Sequence, residues 1–121
     1  MNAGTELDRL IAEKVMGWTQ VATDGVSSYG TPPEDQLRER DGHGTGEGHF
    51  HVPYYSTSIA DAWRVVESMA KEGFEPSLDF EGGRWKVCVF EEGYIIAGYA
   101  AESAPLAICL CALKAKGVGG G

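Results

Sequence analysis

The sequence predicts an α+β sandwich in which three helices pack against an antiparallel meander of three to five strands. Three segments, at residues 5–18, 56–74 and 103–117, repeat apolar side chains at the period of a helix that buries one face. Between the last two lie extended segments rich in β-branched and aromatic residues, joined by short glycine turns. A chain of 121 residues can bury about two-thirds of the surface that it exposes when unfolded. We therefore expect one domain over residues 1–121.

The first helix is expected to begin at Thr5, with Asp8 as the partner in its cap. It is expected to end at Gly17, because glycine readily takes the left-handed conformation that closes helices. Its apolar stripe consists of Leu7, Leu10, Ile11, Val15 and Trp18.

Residues 19–55 lose this periodicity and are rich in glycine, proline and small polar residues, which favour turns. A connection of this length is unusual in a compact domain. We expect an irregular excursion that is either functional or partly disordered, with short strands at residues 19–22 and 49–53.

The second helix carries the most complete signals. Ser58, followed three residues later by Asp61, predicts a capping box, with Ser56 or Thr57 as alternative N-caps. Gly73 and the apolar residue after it fit a Schellman ending. The residues between them are expected to form a buried stripe in which Trp63 is a core residue: Ile59, Ala62, Trp63, Val66, Met69 and Ala70.

A meander of strands is expected next. Gly82 and Gly83 separate two extended segments, residues 77–81 and 84–91, and a two-residue glycine turn predicts a hairpin. Glu92 and Gly93 begin a second turn before a third strand at residues 94–100.

The last helix is expected to begin after Ser103 as N-cap, with Pro105 in the first turn, where the missing N–H is not needed. Gly117 ends it, and residues 117–121 form a flexible tail. Its buried stripe is expected to be Leu106, Cys109, Leu110 and Leu113.

The charge balance argues against a broad nucleic-acid interface. Eighteen acidic and ten basic residues give a formal net charge of −8, whereas such an interface needs Lys and Arg to neutralise phosphates. A small anionic ligand in a local basic pocket remains compatible with this charge.

Cysteine use and hydropathy indicate the compartment. Cys88, Cys109 and Cys111 are an odd number without a C-x-x-C pair, so we expect reduced thiols in the core. The sequence shows neither a secretory signal nor a membrane span. We therefore expect a cytoplasmic protein with no membrane partner.

Three segments resemble a family of small bacteriophage and prophage proteins described by an α/β/α phage ABA sandwich domain. They are residues 7–18 (LDRLIAEKVMGW), 52–63 (VPYYSTSIADAW) and 104–115 (APLAICLCALKA), about a third of the chain. The resemblance implies a three-layer fold and action in the cytoplasm of an infected host cell. It supplies no catalytic residue and no cofactor. The glycine- and histidine-rich run at residues 41–51 is a departure from the family.

That run is the strongest candidate for metal chemistry. Asp41, His43, Glu47, His49 and His51 lie within eleven residues, and imidazole and carboxylate groups are suitable zinc ligands. Their spacing matches no established metal motif, so solvated loop residues are the preferred interpretation. His43, His49 and His51 remain weak candidates for metal ligands.

Aromatic and basic side chains predict a site for a small, anionic, nucleotide-like ligand. Aromatic rings stack on bases, Arg and Lys bind phosphates, and the start of the last helix offers N–H groups to an anion. Tyr54 and Tyr55 cannot easily both face the core, and they precede the best-defined helix. For each tryptophan the alternative is an ordinary place in the core. The predicted ligand-binding residues are Trp18, Tyr54, Tyr55, Arg84, Lys86 and Ser103.

No catalytic arrangement is recognisable, because Ser56, Ser58 and Ser103 are explained as helix caps and no nucleophile motif surrounds them. We expect a protein that is not an enzyme. The leading hypothesis is a homo-oligomeric phage accessory protein, an anti-defence sponge that sequesters a small nucleotide-derived immune signal. Two alternatives remain. One is an inhibitor that binds a host protein, and the other is a metal-dependent hydrolase that uses the region of His49 and His51.

Overall fold

The structure is a computed structural model, and it describes residues 2–23, 27–33 and 50–117. Within these ranges it contains three helices and six strands. The helices are α1 (Thr5–Lys14), α2 (Ile59–Lys71) and α3 (Ala104–Ala115). The strands are β1 (Thr19–Thr23), β2 (Ser28–Thr31), β3 (Phe50–His51), β4 (Glu75–Glu81), β5 (Arg84–Glu91) and β6 (Tyr94–Ala101).

The strands form two antiparallel sheets of three, in the orders β1-β2-β3 and β4-β5-β6. The predicted fold class, an α+β fold with three helices and an antiparallel meander, is confirmed, and it fits the α/β/α-type sandwich. The expected strands at residues 19–22 and 49–53 correspond to β1 and to the shorter β3.

Strand β2 was not predicted, because Ser-Tyr-Gly-Thr has the composition of a turn. Gly30 is required there for close packing. A Cβ atom at this position would lie 2.9 Å from Cγ2 of Val21 and 3.2 Å from Cε3 of Trp18. The glycine that suggests a loop therefore lets β2 lie against β1 and the Trp18 ring.

Both hairpins of the β4-β5-β6 sheet have two-residue turns in the left-handed conformation. The φ angles are 62° and 78° at Gly82 and Gly83, and 53° and 85° at Glu92 and Gly93. Two successive left-handed residues match the natural twist of the strands. The predicted hairpin turn is confirmed, with Phe80 paired to Trp85 beside it.

Helix α3 is covered from several directions, because it contacts β5, β6, α1 and α2. Its N-cap is Ser103 as predicted, whose Oγ accepts a hydrogen bond of 3.4 Å from the Leu106 N–H. The buried part of the helix differs from the expected stripe in two ways. Leu106 and Leu110 are only half-buried, and the buried positions extend around more of the helix than the stripe. The buried residues are Ala104, Pro105, Ala107, Ile108, Cys109, Cys111, Ala112 and Leu113.

The three cysteines are buried as free thiols. The Sγ atom of Cys111 lies 3.4 Å from the carbonyl oxygen of Val87, to which it donates. Burial raises the pKa of Cys111 to about 11 and also raises the pKa of Cys109. These thiols therefore behave as small apolar core groups.

Helix α2 begins and ends as predicted. Ser58 is the N-cap, and its Oγ accepts the N–H of Asp61 at 3.3 Å. At the other end Gly73 has a φ of 96°, and the N–H of Phe74 donates to the carbonyl of Met69, as in a Schellman ending.

The buried face of α2 differs from the prediction. It is formed by Ala62, Val65 and Met69, whereas Ile59 and Trp63 are exposed over 52% and 49% of their surface. The physical reason is that α2 contacts α3 and β4, which cover one stripe of the helix and leave the neighbouring apolar stripe uncovered. The prediction that Trp63 is a core residue is therefore wrong.

The start of α1 also differs. Its N-cap is Gly4, which provides no side-chain hydrogen bond, and Thr5 is the first helical residue. Asp8 is buried and accepts the N–H of Ser56 instead of capping its own helix. The helix itself ends at Lys14, and Gly17 has the left-handed φ of 76°.

These placements predict losses of stability of different size for two aromatic substitutions. Tyr55→Ala removes a fully buried side chain and is expected to lower the free energy of unfolding by about 3–5 kcal/mol. Trp63→Ala removes a half-exposed side chain and is expected to lower it by about 1 kcal/mol or less. Urea denaturation of both variants measures the difference. Equal losses would mean that Trp63 belongs to the core after all.

Candidate functional site

A shallow depression lies where the start of α1, the start of β2 and the segment after β3 meet. Its empty volume is about 180 Å³, part of which is open to solvent. Sites for drug-sized molecules usually have about 300 Å³ or more. Because the figure of about 180 Å³ counts open solvent, the enclosed part is much smaller and has room for about one water-sized group. The depression is lined by Thr5, Asp8, Ser27, Ser28, His51, Val52 and Tyr54.

Asp8 ties the first helix to the segment before α2. The N–H of Ser56 donates to Asp8 Oδ1 at 2.7 Å, and the N–H of Gly4 donates to Ser56 Oγ at 2.9 Å. Asp8 and Ser56 are both buried. Because these residues are 48 positions apart, no local pattern in the sequence announces the contact.

The environment of Asp8 makes its ionisation less favourable than in water. Burial raises the pKa of Asp8 above 3.8, and the hydrogen bonds from Ser56 oppose this change. The charge of Asp61 also raises the pKa, whereas His51 lowers it. Asp8 is thus a desolvated carboxyl group at the floor of the depression.

Two rings, His51 and Tyr54, line the depression, and a third, Tyr29, packs against His51. The ring centroids of Tyr29 and His51 are 5.3 Å apart at 82°, and those of His51 and Tyr54 are 5.1 Å apart at 54°. Tyr54 Oη lies 3.4 Å from His51 Nε2. His51 is therefore held between two tyrosines.

The backbone of Tyr54 is fixed on the first turn of α2. Its N–H donates to Asp61 Oδ2 at 2.9 Å, and its carbonyl accepts the N–H of Ser58 at 2.8 Å. The side chain is nevertheless 56% exposed. A rigid backbone thus presents the Tyr54 ring to solvent.

Ser28 is the unusual polar group of this site. Its backbone carbonyl accepts the N–H of Val52 at 2.8 Å, which pairs β2 with the chain after β3. The residue is 3% exposed, and in the described ranges its Oγ has no hydrogen-bond partner. Most buried hydroxyl groups are paired, so an unpaired one indicates a group that a ligand can satisfy.

Comparison with known families and structures establishes the relationship of the chain. The model of the phage ABA sandwich domain matches residues 9–113. The chain belongs to this family. Its fold is similar to the crystal structure of a phage protein from Bacillus cereus ATCC 14579, with 28% sequence identity, 95% coverage of each chain and a TM-score of 0.61. The comparison with curated proteins finds no match.

In this phage ABA sandwich domain the predicted ligand residues do not form a single cluster. Tyr54 lies at the depression, whereas Trp18 and Tyr55 belong to the buried core. Arg84 and Lys86 are exposed on β5, in the other sheet.

Two polar groups among these residues have structural contacts. Arg84 Nη2 donates to the carbonyl of Ala100 at 3.3 Å. Ser103 Oγ is engaged as the N-cap of α3. The sequence pattern identified Tyr54 but missed Asp8 and Ser28, whose roles depend on long-range packing.

The predicted metal run extends largely beyond the described residues. Asp41, His43, Glu47 and His49 lie outside them, and His51 lies between the two tyrosines. Among residues 2–23, 27–33 and 50–117, no group of three His, Cys, Asp or Glu side chains is arranged to hold a metal ion. In the same ranges, no helix combines the length and apolar character needed to cross a bilayer.

Asp8 predicts a distinctive dependence of stability on pH. Because its folded-state pKa is raised, its contribution to stability is fully present below about pH 3.8 and is lost as the pH rises through the raised value. Asp8→Asn keeps an acceptor oxygen but cannot ionise. We expect Asp8→Asn to gain stability relative to the wild type as the pH rises from about 3.8 through the raised pKa of Asp8, measured by urea denaturation.

Asp8→Ala is the matched variant for the hydrogen bond. It leaves the buried N–H of Ser56 without its acceptor and is expected to lose about 1–3 kcal/mol at every pH. Parallel pH profiles for Asp8→Asn and the wild type would contradict the assignment of a raised pKa to Asp8.

Proposed function

We propose that this phage protein acts by binding a protein of the infected host cell and does not catalyse a reaction. The observation that carries the proposal is the exposed apolar stripe at the start of α2. We call Tyr54, Ile59 and Trp63 the α2 surface. Exposed apolar clusters of this kind on soluble proteins are typical of protein-binding sites.

The α2 surface has the composition of an interaction site. Tryptophan and tyrosine are enriched among the residues that contribute most binding energy in protein complexes. The helix already has a complete buried face in Ala62, Val65 and Met69, so Trp63 is not needed to hold it in place. The backbone of Tyr54 is fixed next to the start of α2 by its hydrogen bonds to Ser58 and Asp61.

Size and charge favour a protein as the partner. The described depression, at about 180 Å³, is smaller than a typical nucleotide site, and the α2 surface is convex helix rather than cavity. The net charge of −8 favours a partner with a basic surface, because opposite potentials speed association and exclude acidic partners.

The test compares two exposed aromatic side chains against one partner. The protein is used to isolate a stoichiometric partner from host lysate, and the purified partner is then titrated by calorimetry. Trp63→Ala is expected to weaken binding about 30-fold or more, the effect of losing a central interface residue. Tyr94→Ala, at a residue that is 77% exposed on β6, is the control and should bind like the wild type. Equal affinities for both variants would overturn the proposal.

A second candidate function is the sequestration of a small nucleotide-derived signal of bacterial defence. It is favoured by one observation on the β4-β5 hairpin. The rings of Phe80 and Trp85 lie 4.9 Å apart, and Arg84 and Lys86 are exposed on the same hairpin. Aromatic faces can stack on a base, and the two cations can bind phosphates.

This candidate would be strengthened by self-association, which we propose at the outer edge of β6. Within the described ranges that edge pairs with no further strand, and β6 has no charged residue. The opposite edge, β4, carries Pro76 and three acidic residues, which discourage strand pairing. Pairing of a second copy through β6 would give a six-stranded sheet with a β4 strand at each end.

A thermal-shift screen tests the nucleotide candidate. A cyclic dinucleotide or cyclic ADP-ribose isomer at 100 times its dissociation constant should add about 2.7 kcal/mol of stability. Arg84→Ala is expected to abolish the shift, whereas Lys14→Ala, an exposed lysine on α1, should retain it. Sedimentation velocity of the same samples reports self-association. If none of these nucleotides raises the melting temperature, the sequestration hypothesis fails.

A further inference from the structure

We propose that the depression between α1, β2 and Tyr54 binds a single cationic nitrogen group, a guanidinium or an ammonium, carried by an Arg or Lys side chain of the protein partner. The inference rests on the proposed function, because it specifies the chemistry that the partner presents next to the α2 surface. Tyr54 belongs both to that surface and to the lining of the depression.

The first support is the pair of polar groups inside the depression. Ser28 Oγ is buried and lacks a hydrogen-bond partner in the described ranges. The carboxylate of Asp8 uses Oδ1 for the Ser56 N–H and lines the same space. A nitrogen group with several N–H donors can bond to a hydroxyl and to a carboxylate, since guanidinium has five N–H donors and ammonium has three.

The second support is the local charge. Asp61 lies near enough to Asp8 to raise the pKa of Asp8, and His51 acts on that pKa in the opposite direction. Arg9, one residue after Asp8, is engaged with Glu13 at 2.9 Å. The site therefore has an excess of negative charge that a bound cation would balance.

The first turn of α1 argues in the same direction. A helix N-terminus favours negative groups, but this turn already contains two, Glu6 and Asp8. An additional anion would be repelled by the Asp8 carboxylate. A cation would be attracted to that carboxylate, and it can also make a cation–π contact with the ring of Tyr54.

The third support is size. Most of the empty volume of about 180 Å³ is open to solvent, and the enclosed part has room for about one water-sized group. That space suits an ammonium group, or one edge of a guanidinium, better than a complete small molecule. The rest of the partner would then lie outside the depression, over Tyr54 and the neighbouring apolar residues of α2. A basic side chain next to an apolar one is thus the recognition feature that we infer.

The experiment is an NMR titration with two matched tripeptides, acetyl-Gly-Arg-Gly-amide and acetyl-Gly-citrulline-Gly-amide. The two differ mainly in the charge of one side chain. We expect the arginine peptide to give saturable shifts at the amide groups of Ser28 and Tyr54 and to bind at least tenfold more tightly than the citrulline peptide. Equal binding of the two peptides, or shifts elsewhere on the surface, would overturn the proposal.

Variants test the two polar groups. Ser28→Ala should weaken binding of the arginine peptide about threefold to tenfold, as expected for the loss of one hydrogen bond. Asp8→Asn should weaken it at least tenfold. Ser77→Ala, on β4 of the other sheet, is the control and should leave affinity unchanged. Unchanged affinity in Ser28→Ala and Asp8→Asn would overturn the proposal.

The source of the cation is tested with methylguanidinium. Weaker binding than the arginine peptide supports a peptide-borne group, whereas equal binding overturns the assignment to a protein side chain. The proposed function fails separately. If the arginine peptide binds as expected but partner affinity is independent of Trp63, the assignment of the α2 surface as the partner-binding site is wrong. If partner affinity depends on Trp63 but the arginine peptide does not bind, only the cation site is wrong.

Discussion

The structure depends on the burial of α3, a helix that is apolar around most of its circumference. Such a helix is unstable with only one face covered, because most of its circumference must be removed from water. The β5 and β6 strands cover one part of it, and α1 and α2 cover others. The β1-β2-β3 sheet is then attached through α1, which contacts β1 and β2. The position of the candidate site follows from this arrangement, since it lies where α1 meets that sheet.

Local signals in the sequence predicted the elements that are determined locally. The caps of α2 and α3, the Schellman ending at Gly73 and the glycine turn at Gly82 all involve residues within a few positions of each other. Their geometry is therefore encoded by short patterns. The same patterns could not show which apolar stripe of α2 is covered, because this depends on the placement of α3 and β4. Trp63 is exposed for that reason.

The site was less predictable than the fold. Of the residues that composition suggested, Tyr54 lies at the depression, whereas Trp18 and Tyr55 lie in the core, and Arg84 and Lys86 belong to another sheet. An aromatic residue has the same identity in a core and in a binding site, so its type alone does not distinguish the two roles. The polar floor of the depression joins residues from α1, β2 and the chain after β3. In the sequence Asp8 has the position of an ordinary capping residue, and its contact with the distant Ser56 is visible only in the fold.

The buried cysteines have a practical consequence. A thiol reacts through its thiolate form, and both burial and a raised pKa keep Cys109 and Cys111 in the unreactive form at neutral pH. Cys88 is also buried in the fold. A new cysteine placed on an exposed strand or helix would therefore be alkylated long before the native ones. The wild-type background is thus suited to site-specific attachment of fluorophores or spin labels without first removing its own sulfur groups.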